Sequence, residues 1–181
     1  SFYTDRQDTL TRNSTITGVA TYTTEKQSNF FLKTDIWVPE NRYHYLGEIR
    51  YRNAPFNFYG IGNKTNETDK VFLSQKLFRL SAEVEKKFSK VSYTGLNALF
   101  ENYQFIENQF GSMYTSNING LNGGNVLFLG VSQIIDTRNT NTYTTNGTYI
   151  KLNYSYAPDL FGGDNFEGSL TKLDVRTFKS L

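Results

Sequence analysis

Along most of this chain apolar and charged side chains alternate with a period of two, and few folds accommodate that pattern. In residues 28–38, Phe30, Leu32, Ile36 and Val38 share one face with Thr34, while Lys33 and Asp35 take the other. Residues 42–52 repeat it, with Tyr43, Tyr45, Gly47, Ile49 and Tyr51 opposed by His44, Glu48, Arg50 and Arg52. So do 76–88, where Phe78, Leu80, Ala82 and Val84 oppose Arg79, Ser81, Glu83 and Glu85, and 148–156, where Ile150, Leu152, Tyr154 and Tyr156 oppose Lys151, Asn153 and Ser155. Near the end Leu173, Val175 and Thr177 oppose Lys172, Asp174 and Arg176. A strand sends successive side chains to opposite sides of its sheet, so each stretch reads as a strand with one apolar and one charged face. The 13 Tyr and 15 Phe agree, since aromatic residues favour strands.

Composition removes several alternatives. With no cysteine there is neither a disulfide scaffold nor a Cys-ligated zinc site, and a net charge of +2 provides no strong field for nucleic acid. No apolar run is long enough for a transmembrane helix. The mean hydropathy of −0.52 does not exclude a membrane, because a membrane barrel exposes apolar groups on only one face of each strand.

Two arrangements fit the alternation. In a soluble sandwich or small barrel the apolar face turns inward. In an outer-membrane barrel it meets lipid and the charges line a wet lumen. Strands of ten residues or more, aromatic residues gathered near strand ends (Phe30, Phe31, Tyr43, Tyr45, Phe56, Phe58, Tyr59, Tyr154, Tyr156) and charges of both signs on the polar faces favour the second. Lys33, Asp35, Glu48, Arg50, Arg79, Glu83, Lys172, Asp174 and Arg176 are then expected to face the lumen.

The pattern predicts strands at about 1–6, 14–24, 28–38, 42–53, 55–62, 74–88, 91–109, 125–137, 147–157 and 166–178, with Gly95 expected to mark a bulge. Counting in that order puts "TEKQ", "RNAP", "FSK" and "TRNTNTYTTNG" at one end and "QDTLTRNS", "PEN", "NKTNETDK", "GSMYTSNINGLNGG" and "PDLFGGD" at the other.

Three segments carry a family resemblance. Residues 136–156, "DTRNTNTYTTNGTYIKLNYSY", resemble the D-x-R-(N/D)…(Y/F)-P-T-x-G-x-(Y/F) segment of the BamA/TamA superfamily of outer-membrane assembly and translocation barrels, the surface-antigen barrels. On that match Asp136, Arg138 and Asn139 end one strand, Thr145, Asn146 and Gly147 make the periplasmic turn and Tyr149 begins the next, with Thr144 where the family often has proline. "FNFYGIGNKT" is similar to the family's aromatic-(Y/W)-G-(I/L)-G-N-x-T segment through Tyr59, Gly60, Gly62 and Asn63. The opening "FYTDRQDTLTRNSTITGVATYT" is similar to the family's first outer loop and second strand. The resemblance implies an all-β, antiparallel transmembrane β-barrel in a bacterial outer membrane, with residues 1–181 as one domain holding about the first ten strands of sixteen. At roughly 18 residues per strand and connection, sixteen strands need about 290 residues, so the chain is expected to be the first part of a larger barrel.

The implied function is non-enzymatic: assisting insertion, assembly or translocation of outer-membrane proteins, with the lipid bilayer and nascent outer-membrane proteins or a membrane-associated complex as partners, and no nucleic acid. A weakly paired first strand, here Phe2, Tyr3, Thr4 and Asp5, is the expected edge onto which a substrate strand adds. Alternatives are a barrel that anchors or exports a separate passenger domain, and a small closed barrel or soluble β-sandwich binding module. No catalytic, cofactor or metal residues are expected. His44 is the one histidine and lies on a charged strand face. Glu83 and Glu85 share a face with Arg79, which suits an ion-pair lattice better than acid/base chemistry. Asn146-Gly147 suits a positive-φ turn, and Asp136 and Arg138 are placed to pair beside it.

Overall fold

The computed structural model describes residues 1–4, 7–8, 10–59, 63–64, 66–107, 123–163 and 165–180. Eight strands form one antiparallel sheet in sequence order: β1 (Thr15–Tyr22), β2 (Ser28–Trp37), β3 (Tyr43–Phe58), β4 (Val71–Lys87), β5 (Ser92–Glu107), β6 (Gly123–Asp136), β7 (Gly147–Ala157) and β8 (Gly168–Phe178). Among the described residues helix is confined to single 3-10 turns at Pro39–Asn41 and Glu67–Asp69. The chain is therefore all-β, and because β1 and β8 are not paired the sheet is open.

Eight strands replace the ten expected, for two reasons. Residues 43–58 run as one strand through Pro55, which stands opposite Ser74 of β4. On its other side β2 reaches only as far as Asn53, so this part of β3 is an edge, where a missing N–H costs no second ladder. Of the expected strand at 1–6, residues 1–4 are described, and they contribute one bridge, Phe2 to Ser14. Asp5 lies outside the described residues, as do Gly60 and Gly62.

Merging two strands into β3 also regroups the connections. The N-terminal segment and the connections leaving β2, β4 and β6 belong to one end of the sheet, and the mostly longer connections leaving β1, β3, β5 and β7 to the other. "TEKQ" thus leaves its expected group, "PEN" and "QDTLTRNS" join the short turns, and "RNAP" is strand interior.

Gly95 is not a bulge, since the β4–β5 register runs without offset from Leu73 opposite Glu107 to Lys87 opposite Tyr93. It is a point of close approach, where a Cβ would collide with Ser132 Oγ and come within 3.1 Å of Glu85 Cγ.

Opposed residues in a ladder share a face, so the registers extend each strand's alternation across the sheet. One face carries Leu32, Ile49, Leu80, Ala98, Leu129, Tyr154 and Thr171 in linked rows, and its large apolar side chains are open: Leu152 is 48% exposed and Leu173 67%. The other carries the charges, and there Glu85 is 3% exposed and Asp136 4%.

The sheet curls around its charged face. Strands β4 and β7 would stand about 14 Å apart in a flat sheet, at about 4.8 Å per strand. Lys151 Nζ of β7 nevertheless reaches Glu83 Oε2 of β4 at 2.8 Å and Glu85 Oε1 at 2.7 Å. Apart from Leu73 and Leu77, the buried apolar residues among those described form two small clusters on this concave side: Trp37, Tyr93 and Ile134 with Tyr149, and Val126, Phe128 and Ala157 with Leu99 and Leu170.

Candidate functional site

The concave face is built in bands by strand register. Near the short turns, Trp37 stacks on the His44 ring with centroids 3.7 Å apart, and Tyr93 meets Trp37 edge-on at 5.9 Å. Next comes a charged belt. His44 lies between carboxylates, Nδ1 2.7 Å from Glu85 Oε2 and Nε2 2.9 Å from Asp35 Oδ1. With a carboxylate at each ring nitrogen, neither is free to take a proton from a substrate. Ser132 donates to Glu83 at 2.6 Å, and Arg79 pairs with Glu101 at 2.5 Å. Arg50 Nε lies 3.0 Å from Glu48 Oε1, close enough for an ion pair but not aligned as a hydrogen bond. The Phe128 cluster lies beside the belt, with Phe128 opposite Leu99 and Val126 opposite Glu101.

All nine charged residues expected on the lumen side lie on this concave face. Their pairing runs along strands as well as between them: Arg176 Nη2 meets Asp174 at 2.5 Å within β8. A cleft of about 540 Å³ opens over the belt beside Glu48, Arg79, Glu83, Lys151 and Lys172. A second, of about 320 Å³, lies beside Trp37, His44, Tyr93 and Arg138.

The turn after β6 is fixed by its own side chains, which is what a run of Thr and Asn provides. Asn139 Oδ1 accepts from the backbone N–H of Thr145 and Asn146 at 3.2 and 3.3 Å. Thr140 Oγ1 accepts from the N–H of Thr142 and Tyr143 at 3.2 and 3.0 Å. Gly147 takes φ +114°, and a Cβ there would run into the backbone of Thr137 and Arg138. Asp136 accepts from Arg138 Nε at 2.9 Å and Nη2 at 2.8 Å, and this pairing raises the Arg138 pKa. Arg138 in turn lies 4.5 Å above the Tyr149 ring. Of the second motif, Tyr59 and Asn63 are described, and both are exposed beyond the end of β3.

The N-terminal segment was not legible as part of this site. Arg12 reaches across the end of the curled sheet to Asp136 and lies 4.9 Å over the Trp37 ring. Its backbone N–H donates to Asn41 Oδ1 at 2.7 Å, and Asn141 Nδ2 donates to the Asn13 carbonyl at 3.2 Å. Asp8 accepts from the N–H groups of Glu40 at 2.6 Å and Leu10 at 2.8 Å and from the Thr11 hydroxyl. The Thr11 bond above all, with those two backbone donors, lowers the Asp8 pKa to about 2. The segment thus ties the β2–β3 turn to the β6–β7 turn. No local pattern announces a pair 124 positions apart in sequence.

Among the described residues no three His, Cys, Asp or Glu side chains gather as a metal site needs, and no helix is long and apolar enough to cross a membrane. Compared with protein families, characterised proteins and solved structures, the chain matches none. What the structure defines is a class: an open, curled antiparallel sheet with charges inside the curve and apolar side chains outside.

Proposed function

We propose that these strands form part of the wall of a transmembrane β-barrel in a bacterial outer membrane, a barrel of the BamA/TamA type that assists insertion, assembly or translocation of outer-membrane proteins. The observation that carries this reading is the inverted sheet. Its convex face leaves Ile49, Leu80, Leu129, Leu152 and Leu173 open, whereas the charged side chains satisfy one another inside the curve. In water that arrangement leaves a large apolar surface without a partner, and lipid supplies one. The strands, 8 to 17 residues long, include several that exceed the length needed to cross the hydrocarbon layer at a tilt.

In this reading the open edge is the working element. β1 (Thr15–Tyr22) pairs with β2 on one side only, so its outward N–H and C=O groups form a template for an incoming strand. The proposed edge moves to β1, because Phe2, Tyr3 and Thr4 lead into the segment at the end of the sheet. No chemical step is assigned to any residue.

The test is a folding assay in proteoliposomes. Vesicles carrying the protein are expected to speed the folding of a urea-unfolded outer-membrane protein several-fold over empty vesicles. Neighbouring residues of a strand point their N–H groups to opposite sides, so of Gly18 and Val19 one donates outward and the other toward β2; proline at the outward position removes the acceleration while leaving the β1–β2 ladder intact. Insertion into vesicles without acceleration leaves the barrel and removes the assembly role, in favour of an anchor or export pore. A monomer soluble without detergent removes both.

A further inference from the structure

At the long-connection end of β1 to β4 lies a cleft of about 410 Å³ that differs from the rest of the concave face. Among the described residues, its only charged lining residue is Arg52 of β3. Among the described arginines, Arg12, Arg42, Arg50, Arg79, Arg138 and Arg176 each face a carboxylate, and Arg52 faces none. The side-chain amides of Gln27, Asn29 and Gln75, which line the same cleft, donate to and accept from no described residue, unlike Asn97, Asn139 and Asn153 elsewhere. Phe56, on the same face as Arg52 and Asn29, is 36% exposed and supplies an aromatic surface.

We infer that this cleft binds an acidic sugar. A guanidinium without a protein partner takes a carboxylate or phosphate through paired N–H donors. Amides that both donate and accept match the hydroxyls of a pyranose, whose C–H face packs on an aromatic ring. Among the described residues the lining holds no acidic side chain to attract a cationic ligand, and the volume falls in the range of small-molecule sites. The turn that forms one wall is held in place: Thr23 N–H donates to the Gln27 carbonyl at 3.0 Å and Gln27 N–H to Thr23 Oγ1 at 3.2 Å. The site is independent of the assembly role, since it needs only the fold.

The acidic sugar has two sources, a soluble polysaccharide or the headgroup of a phosphorylated glycolipid. Calorimetric titration of the protein in detergent micelles, with trigalacturonate for the first and lipid A for the second, separates them. Saturable binding of either probe is expected, weakened at least about tenfold in Arg52→Gln, as loss of a charge-assisted contact implies. Phe56→Ala is expected to weaken it as well, and uncharged maltotriose to bind at least about tenfold less tightly than trigalacturonate. Lys90→Gln, at the opposite end of the sheet, is the charge-matched control and keeps full affinity. The emission of the single Trp37 checks that each variant is folded. Absence of saturable binding to both probes, full binding by Arg52→Gln, or an equal loss in Lys90→Gln overturns the inference.

Discussion

Asp136→Asn is the substitution that most directly tests how the end of the sheet is closed. The Asp136 side chain is 2% exposed and accepts four hydrogen bonds. Oδ1 takes the Arg138 backbone N–H at 3.1 Å and Nε at 2.9 Å; Oδ2 takes Arg138 Nη2 at 2.8 Å and Arg12 Nη1. Asparagine keeps one oxygen and turns the other into an N–H₂ group facing two guanidinium groups. Two charge-assisted bonds are lost, each worth about 1.5–3 kcal/mol. The Arg12 and Arg138 side chains keep 15% and 13% of their surface, so water recovers part of the loss and the lower end applies, about 3 kcal/mol. Trp37, 4% exposed with Arg12 over its ring, reports unfolding in urea by its fluorescence. In a double-mutant cycle with Arg12→Met the pair should show a coupling of at least about 1 kcal/mol. A single-variant loss below about 1 kcal/mol, or simple additivity, refutes the claim that this carboxylate holds the segment across the sheet.

Three further outcomes are expected. Gly130→Ala places a methyl against Ser155 Oγ, 2.5 Å from the Tyr154 carbonyl oxygen and 2.7 Å from Asn97 Oδ1. Overpacking of this kind should cost about 1–3 kcal/mol in the same urea experiment. Leu152→Arg, on the convex face, should destabilise the protein by about 2–4 kcal/mol in bilayers; an unchanged midpoint there removes lipid from that face. Because the Asp8 pKa is lowered from 3.8 to about 2, its contribution is fully present above about pH 4 and is lost as pH falls through about 2. Amide exchange at Leu10 and Glu40 should rise over that interval in the native chain, and should show no such step in Asp8→Asn.

Much of the fold is written locally. The alternation around Leu32, Ile49, Leu80 and Leu152 locates β2, β3, β4 and β7, because a strand's side-chain period depends on nothing but its own backbone. The turn around Asn139 and Gly147 is equally local, made by short polar side chains bonding their own backbone and by one positive-φ glycine. Pro55 misled because its tolerance depends on how far β2 extends beside it, a property of the neighbour. Phe2 and Thr4 misled because one bridge and a side-chain bond stand where their composition suggests a ladder. Of the candidate site, the nine charged positions were legible as a face, whereas the roles of Arg12, Glu101 and Lys151 as partners were not.

The sequence by itself determined that each strand has an apolar and a charged side, since period-two alternation and strand geometry suffice for that. Which side lies inside the curve was decided only by the tertiary structure. Curvature is set by contacts between distant segments, Lys151 with Glu83 and Glu85 across three strand spacings and Arg12 with Asp136 across the end of the sheet. A period of two is the same whichever way the sheet bends, and the bend depends on pairs that no local pattern contains.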